Sequence, residues 1–335
     1  MPASSSLRDP NLEGVPLTER ADVLLDRALE YGSLPESTQQ LLELTRRDDA
    51  EVGPVVDALA LNPSLAAAVL RVANSPLYGQ QRAVADLKRA VSLIGMQELH
   101  DVVAGTAMMA AFSKADPLSQ RIQHTAVLSA SVARVLAAKL KLNADSTSAA
   151  YLSGLMCELG ALACLALDPE FSELYGSSGN DARVRFDVEA SRYGGTTPDI
   201  GGRILAASAL PKEVSQAVAT TGLEPGEHKP SLGRVVAFAR LAALVLLDAA
   251  EHGDAAKFRE ELAAAATTVG LEKLDPELLV SASIAAAAEA ELTLRGELGL
   301  TQTAPSNDVA PAPASKTAST PEKSGTGPWW KKIFG

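Results

Sequence analysis

Cysteine is scarce in this sequence: Cys157 and Cys164 are the only two in 335 residues. They stand seven apart in a helical pattern, which separates their Cα atoms by ~10 Å. That is too far for a disulfide, so a disulfide-stapled secreted scaffold is excluded. Aromatic residues are also few, 4% of the chain. With so few aromatic and β-branched residues among the apolar ones, a large β-sandwich or barrel is not expected. Long hydrophobic runs are missing. The longest unbroken ones reach about eight residues, against the ~18 that span a bilayer. Met1 to Pro16 is polar and has no apolar leader core. Cationic charge is short as well: 30 Lys and Arg against 41 Asp and Glu give a net charge of −11. Nucleic-acid binding needs a basic footprint, so no nucleic-acid partner is expected. These absences together predict a soluble, reduced, cytoplasmic protein.

What is present is alanine and leucine, 59 and 47 residues. Both are strong helix formers, and the pattern predicts an all-α fold. Thr18 is placed to cap a first helix, and Pro35 suits the first position of the next. Helices follow at about 51–60 and 64–73, the latter opened by Asn62-Pro63-Ser64 and stopped at Asn74-Ser75-Pro76. Two more, at about 84–94 and 97–114, are separated by Gly95. Further helical stretches cover 117–138, 145–166, 181–192, 198–208 and 212–220. After a loop at 222–230 come 231–250, 254–268 and 275–298. No strand run and no fixed-period repeat is found.

No catalytic engine is recognisable. There is no P-loop, no His-Glu-x-x-His and no Gly-x-Ser-x-Gly. The glycine pairs at 194–195 and 201–202 read as helix punctuation, with Thr196 or Thr197 capping a helix that has Pro198 in its first turn. The four histidines, His100, His124, His228 and His252, form no metal-binding spacing. His100 and His124 sit inside helices, where a hydrogen-bonded structural role is expected.

An ordered set of motifs then stands out. Leu34-Pro35 is followed by Leu41-Leu42 and Leu44, then by Asn62-Pro63-Ser64-Leu65-Ala66. Next comes Val69-Leu70-Arg71-Val72-Ala73-Asn74-Ser75-Pro76-Leu77-Tyr78-Gly79, then Ala90-Val91-Ser92-Leu93-Ile94-Gly95. Gln123-His124-Thr125, Tyr151-Leu152-Ser153-Gly154-Leu155-Met156-Cys157-Glu158-Leu159-Gly160, Tyr193-Gly194 and Ala209-Leu210-Pro211 complete it. This series resembles the HDOD domain, the HD-related output domain of bacterial signalling proteins, over about residues 27–250. Asn74, Ser75 and Tyr78 are candidate signature residues. Without any ligand, Asn74 reads as a helix end tolerant of the left-handed conformation and Ser75-Pro76 as a turn. A binding role for Asn74 or Tyr78 is the alternative.

The resemblance implies two lobes: an N-terminal helical lobe at 18–115 and an HD-like helical lobe at 116–250. A flexible arm (1–17) precedes them, and a helical extension (251–300) follows. Catalytic HD relatives hold divalent metals with a His, a His-Asp doublet and a later Asp. Against that pattern this chain keeps His124 alone. The doublet position reads Cys157-Glu158, the later acid falls at Arg240, and Thr197 stands where further histidines often occur. A guanidinium in such a place repels a cation. The resemblance therefore implies a vestigial HD site at His124, Cys157, Glu158, Thr197 and Arg240, with no metal, no cofactor and no catalysis. Glu158 and Arg240 are expected to pair across it, near His124.

From Thr301 to Pro328 the composition turns to Pro, Ala, Ser and Thr, which predicts a disordered linker. The last seven residues, Trp329-Trp330-Lys331-Lys332-Ile333-Phe334-Gly335, hold both tryptophans of the protein. This aromatic-basic motif is read as a docking element for a partner. Weak membrane contact and docking on its own domain are the alternatives. The function expected is a non-enzymatic signal-transduction module acting through protein–protein contact with an unidentified signalling protein. A sensor of a nucleotide second messenger in the vestigial pocket is the second reading, and a divergent metal-dependent phosphohydrolase the third.

Overall fold

In the computed structural model the described residues are 12 and 14–297, without 33, 48, 75–77, 79, 81, 178–181, 209, 221–229 and 253. The linker at 301–328 and the docking motif at 329–335 lie outside them, as do Ser75, His228 and most of the loop expected at 222–230. Among the described residues there are sixteen α-helices and no strand. The all-α expectation from alanine and leucine is therefore met.

Local rules account for most helix starts. Asn62 caps α4 (Pro63–Ala73) by accepting from the Leu65 N–H, with Pro63 as its first residue. Asp116 caps α7 (Pro117–Lys139) in the same way through Ser119. Thr196 and Asp199 form a reciprocal capping box at the start of α12 (Thr197–Ala206), with Pro198 in the first turn. Gly95, at φ +82°, turns the chain between α5 (Leu87–Ile94) and α6 (Met96–Phe112), a conformation open to glycine at little cost. Two expected starts differ. Pro16 rather than Thr18 precedes α1 (Leu17–Tyr31), and Pro35 stands just outside α2 (Glu36–Arg46). A proline ring presets φ for a helix entrance and supplies no side-chain cap.

The helices enclose three apolar clusters. The first joins α2, α3 (Val52–Ala60), α4, α5 and α6 around Leu41, Leu59, Val69 and Leu99. The second gathers Leu24, Phe112, Ile122, Leu162, Phe171 and Tyr193 around α9 (Leu159–Leu167). The third packs α14 (Leu232–His252), α15 (Ala255–Thr268) and α16 (Pro276–Glu297) against α7 and α8 (Ala144–Met156). Although α1 precedes the first cluster in sequence, it docks on α9, α12 and α11 (Ala182–Tyr193). Small alanines let α16 lie close along α7, with Ala282, Ala286 and Ala287 fully buried.

Two expectations for the middle of the chain need correction. The single helix read over 145–166 is two, α8 and α9, broken at Cys157–Glu158. The connection after it carries a short helix that propensity did not signal, α10 (Phe171–Ser177), anchored by the buried Phe171. The reading of short apolar runs also understates this region. Ala149–Leu167 has the length and hydropathy of a membrane-crossing segment, yet 94% of it is buried inside the fold. It is bent where Glu158 sits, so it serves as core.

Candidate functional site

The break between α8 and α9 places a carboxylate in the interior. Glu158 is the residue before α9, with φ −103° and ψ 6°, and its side chain makes no helix cap. Two positions on, Gly160 packs against the first turn of α12. A Cβ there would lie 1.9 Å from the Thr197 carbonyl oxygen. Only glycine allows these two backbones to meet.

Glu158 is fully buried, and the Arg240 guanidinium of α14 reaches it with the same fork that pairs with any carboxylate. Nε donates to Oε1 at 2.7 Å and Nη2 to Oε2 at 3.2 Å. The expected Glu158–Arg240 pair is thus formed. Burial acts to lower the Arg240 pKa, but the Glu158 carboxylate outweighs it and the net direction is up. Arg240 stays charged. Beside it, burial and then the Glu158 charge push the Cys157 thiol up to about 12. Cys157 is a neutral packing group, without the thiolate that metal ligation or nucleophilic attack requires.

A second buried pair adjoins the first and has no counterpart in the sequence reading. Glu189 and Arg185, one turn apart on α11, are both buried, with Nε and Oε1 3.6 Å apart. Glu189 holds Thr197 instead. It accepts from the Thr197 backbone N–H at 2.7 Å and from its hydroxyl at 3.2 Å. Burial raises the Glu189 pKa, against the opposing pull of Arg185, Thr197 and Arg240. Phe186 and Tyr175 are the walls. The Arg185 guanidinium lies 5.0 Å from the Tyr175 ring centroid and 5.6 Å from that of Phe186. Arg240 lies 5.6 Å from the same Phe186 ring. Burial raises the Tyr175 pKa, and the charges of Arg185, Arg240 and Arg121 act on it in the other direction.

The structure therefore unites Cys157, Glu158 and Arg240, and it links Thr197 to them through Glu189. His124 stands half-buried on α7, the helix that also carries Arg121. A divalent cation does not fit these residues. Arg240 occupies both oxygens of Glu158, Thr197 occupies those of Glu189, and the nearby guanidinium groups add positive charge. Among the described residues no group of three His, Cys, Asp or Glu side chains is placed to share a metal.

The signature stretch has a structural account. Asn74 ends α4 at φ −86° and ψ 1°, not in the left-handed region. Its side chain crosses to the backbone of Val84 instead, accepting at 2.6 Å and donating at 2.8 Å, and it donates to Leu70 as well. One amide thereby pairs like a short piece of strand and closes the connection to α5. The Tyr78 hydroxyl donates to the Glu98 carboxylate of α6. Burial first, then Glu98, raises the Tyr78 pKa, so this hydroxyl stays protonated. His100, buried on α6, meets the Thr45 hydroxyl at 2.9 Å through Nδ1, the structural role expected for it.

Residues 32–222 match the HDOD domain. The chain belongs to the HDOD family. Its fold is similar to that of an HDOD domain protein of unknown function from Geobacter sulfurreducens: 18% identity, TM-score 0.53, 80% of this chain and 98% of that one covered. A Shewanella amazonensis protein described as a candidate phosphohydrolase shows 22% identity and a TM-score of 0.57, over 78% of this chain and 93% of its own. At such identities the likeness is one of fold. No curated protein matches the sequence.

Proposed function

We propose that this HDOD protein is a non-enzymatic regulatory module that acts through protein–protein contact. Membership of the family supports a regulatory or signalling role. The observation that carries the non-enzymatic part is the Glu158–Arg240 pair. A buried carboxylate held on both oxygens by a guanidinium is charge-balanced already, and the adjoining positive charge opposes a metal ion there. The aromatic-basic motif Trp329-Trp330-Lys331-Lys332-Ile333-Phe334 is the docking element of this reading. Its rings suit a partner's groove and its lysines an acidic rim.

The catalytic part is tested by assaying purified full-length protein with phosphomonoesters, phosphodiesters and cyclic dinucleotides in the presence of manganese or magnesium. No metal-stimulated turnover is expected. Turnover that disappears in Glu158→Ala would overturn the reading. The docking part is tested by tryptophan emission, since Trp329 and Trp330 are the only tryptophans. A blue shift on adding anionic vesicles would replace the partner-protein reading with a membrane one.

A further inference from the structure

One buried carboxylate is claimed from two sides. Glu189 of α11 accepts from the Thr197 backbone N–H at 2.7 Å and from its hydroxyl at 3.2 Å. Both donors belong to the first turn of α12. One turn before Glu189 on its own helix, Arg185 presents Nε and Nη2, both buried and without a hydrogen-bond partner. Glu189 Oε1 lies 3.6 Å from that Nε, an ion pair too long for a hydrogen bond. A carboxylate has lone pairs for all four donors, so position divides them rather than capacity. Either place of the carboxylate leaves buried donors unmet on the other side, a cost of the same kind in both.

The surroundings let the carboxylate change sides. Arg185 and Glu189 stand four apart on one helix, the spacing at which such side chains meet, so a side-chain turn closes the gap and no cavity is needed. The Tyr175 and Phe186 rings flank the Arg185 guanidinium and restrain it, which leaves Glu189 as the part that moves. Thr197 does not follow freely. The first turn of α12 is seated on Gly160 of α9 through the Thr197 carbonyl and the Gly201 nitrogen, and following Glu189 would unseat it. On the outer side of α12, Arg203 pairs with Asp22 of α1 in an exposed contact that restrains the helix weakly.

We infer that Glu189 is a two-position latch: turned to Thr197 it pins the first turn of α12, and turned to Arg185 it lets that turn go. The structure holds the pinned position. No net charge moves between the two, since Arg185 faces Glu189 in both and Arg240 keeps Glu158. What changes is α12. With α13 (Lys212–Ala219) it borders an open groove of about 590 Å³, lined in part by Gly202, Ala206, Leu210 and Ala219. Release of the first turn frees that wall to shift, so a buried side chain sets the shape of a surface. The inference depends neither on the docking motif nor on the absence of catalysis.

Hydrogen exchange of the full chain tests it, read by NMR at the Thr197 N–H and at the Phe238 N–H in the core of α14. The first reports local release and the second opening of the whole fold, so their ratio removes global destabilisation. Arg185→Lys keeps the charge and removes the paired edge, so Glu189 loses its rival donors. Protection of Thr197 relative to Phe238 should then rise about 10-fold, the worth of one hydrogen bond. Where that variant fails to fold, Arg185→Met removes the rival outright, and the same rise is expected. Thr197→Val makes the reciprocal test. It removes the hydroxyl, and the Arg185 Nε–H should exchange with water about 10-fold more slowly as Glu189 turns to it. An Arg185 that only props the fold gives the opposite sign, because its loss would loosen the first turn of α12. Relative protection at Thr197 that is unchanged or lower in the folded Arg185 variants would overturn the inference. So would Arg185 Nε–H exchange that is unchanged or faster in Thr197→Val.

Discussion

Helix α9 has a buried carboxylate just beyond each end, and the two are treated differently. Before the helix, Glu158 is fully buried and faces Arg240, whose side chain is 7% exposed. After it, Asp168 is also buried, but its partner Arg192 is 30% exposed and reaches on to Glu170. Asp168 has further donors: the Tyr193 hydroxyl at 2.6 Å and the Glu170 backbone N–H at 3.0 Å. Burial pushes its pKa up, but Arg192 and Tyr193 pull harder, and the net direction is down. The Asp168 end is a knot in which the carboxylate is over-supplied with donors. At the Glu158 end the pair is matched one to one, and the adjoining Arg185 is left with donors to spare. Redundancy of partners marks the first as a structural fastening. The second depends on single partners.

The largest expected effect lies at the Glu158 end. Glu158→Ala and Arg240→Ala should each cost about 3–5 kcal/mol, because each strands a buried charge. The double variant should lose less than the sum, measured by urea denaturation as a double-mutant cycle. Strict additivity would mean that the pair is not a coupled unit. At the other end Arg192→Ala should cost less, about 2–3 kcal/mol, since Tyr193 and the Glu170 N–H still serve Asp168. A loss as large as that at Arg240 would erase the contrast between redundant and single partners.

The ends should also differ in the sign of their pH dependence. Asp168, with a depressed pKa, contributes stability that is present above its unfolded pKa and is lost as pH falls through the folded one. Glu189, with a raised pKa, acts the other way. Its contribution falls as pH climbs from its unfolded pKa through the higher folded value. Stability against pH should therefore lose its acid-side slope in Asp168→Asn and flatten on the neutral side in Glu189→Gln. Identical changes of slope in the two variants would contradict the assignment. The smallest effect is expected at Asn74, where Asn74→Ala removes the bonds to Val84. Thermal melting should fall by the equivalent of about 1–2 kcal/mol.

Much of this was legible in the residue pattern, for identifiable reasons. Helix caps are local, so Asn62 and Thr196 announced themselves. The Glu158–Arg240 pair followed from setting two motif positions of the HDOD resemblance side by side. The break at Cys157–Glu158 carried no local signal, because neither Gly nor Pro stands there and a nonlocal contact of Gly160 shapes it. Arg185 and Glu189 were not singled out, since charges at i and i+4 on a helix are most often solvated. The signal that distinguishes them is the company they keep. Phe186 and Tyr193 form a buried stripe on α11, and Glu189 falls between them on the same face. A charge inside an apolar stripe is a buried charge, and that spacing rule finds it from sequence.

The contact between Gly160 and the Thr197 carbonyl has a practical side. A single methyl group at position 160 would act as a wedge, prising the first turn of α12 away from α9 without altering any charge. Thr197 would travel with that turn and loosen its grip on Glu189, freeing a carboxylate to swing toward Arg185. Gly160→Ala would then shift the partner of a buried charge by a purely steric route.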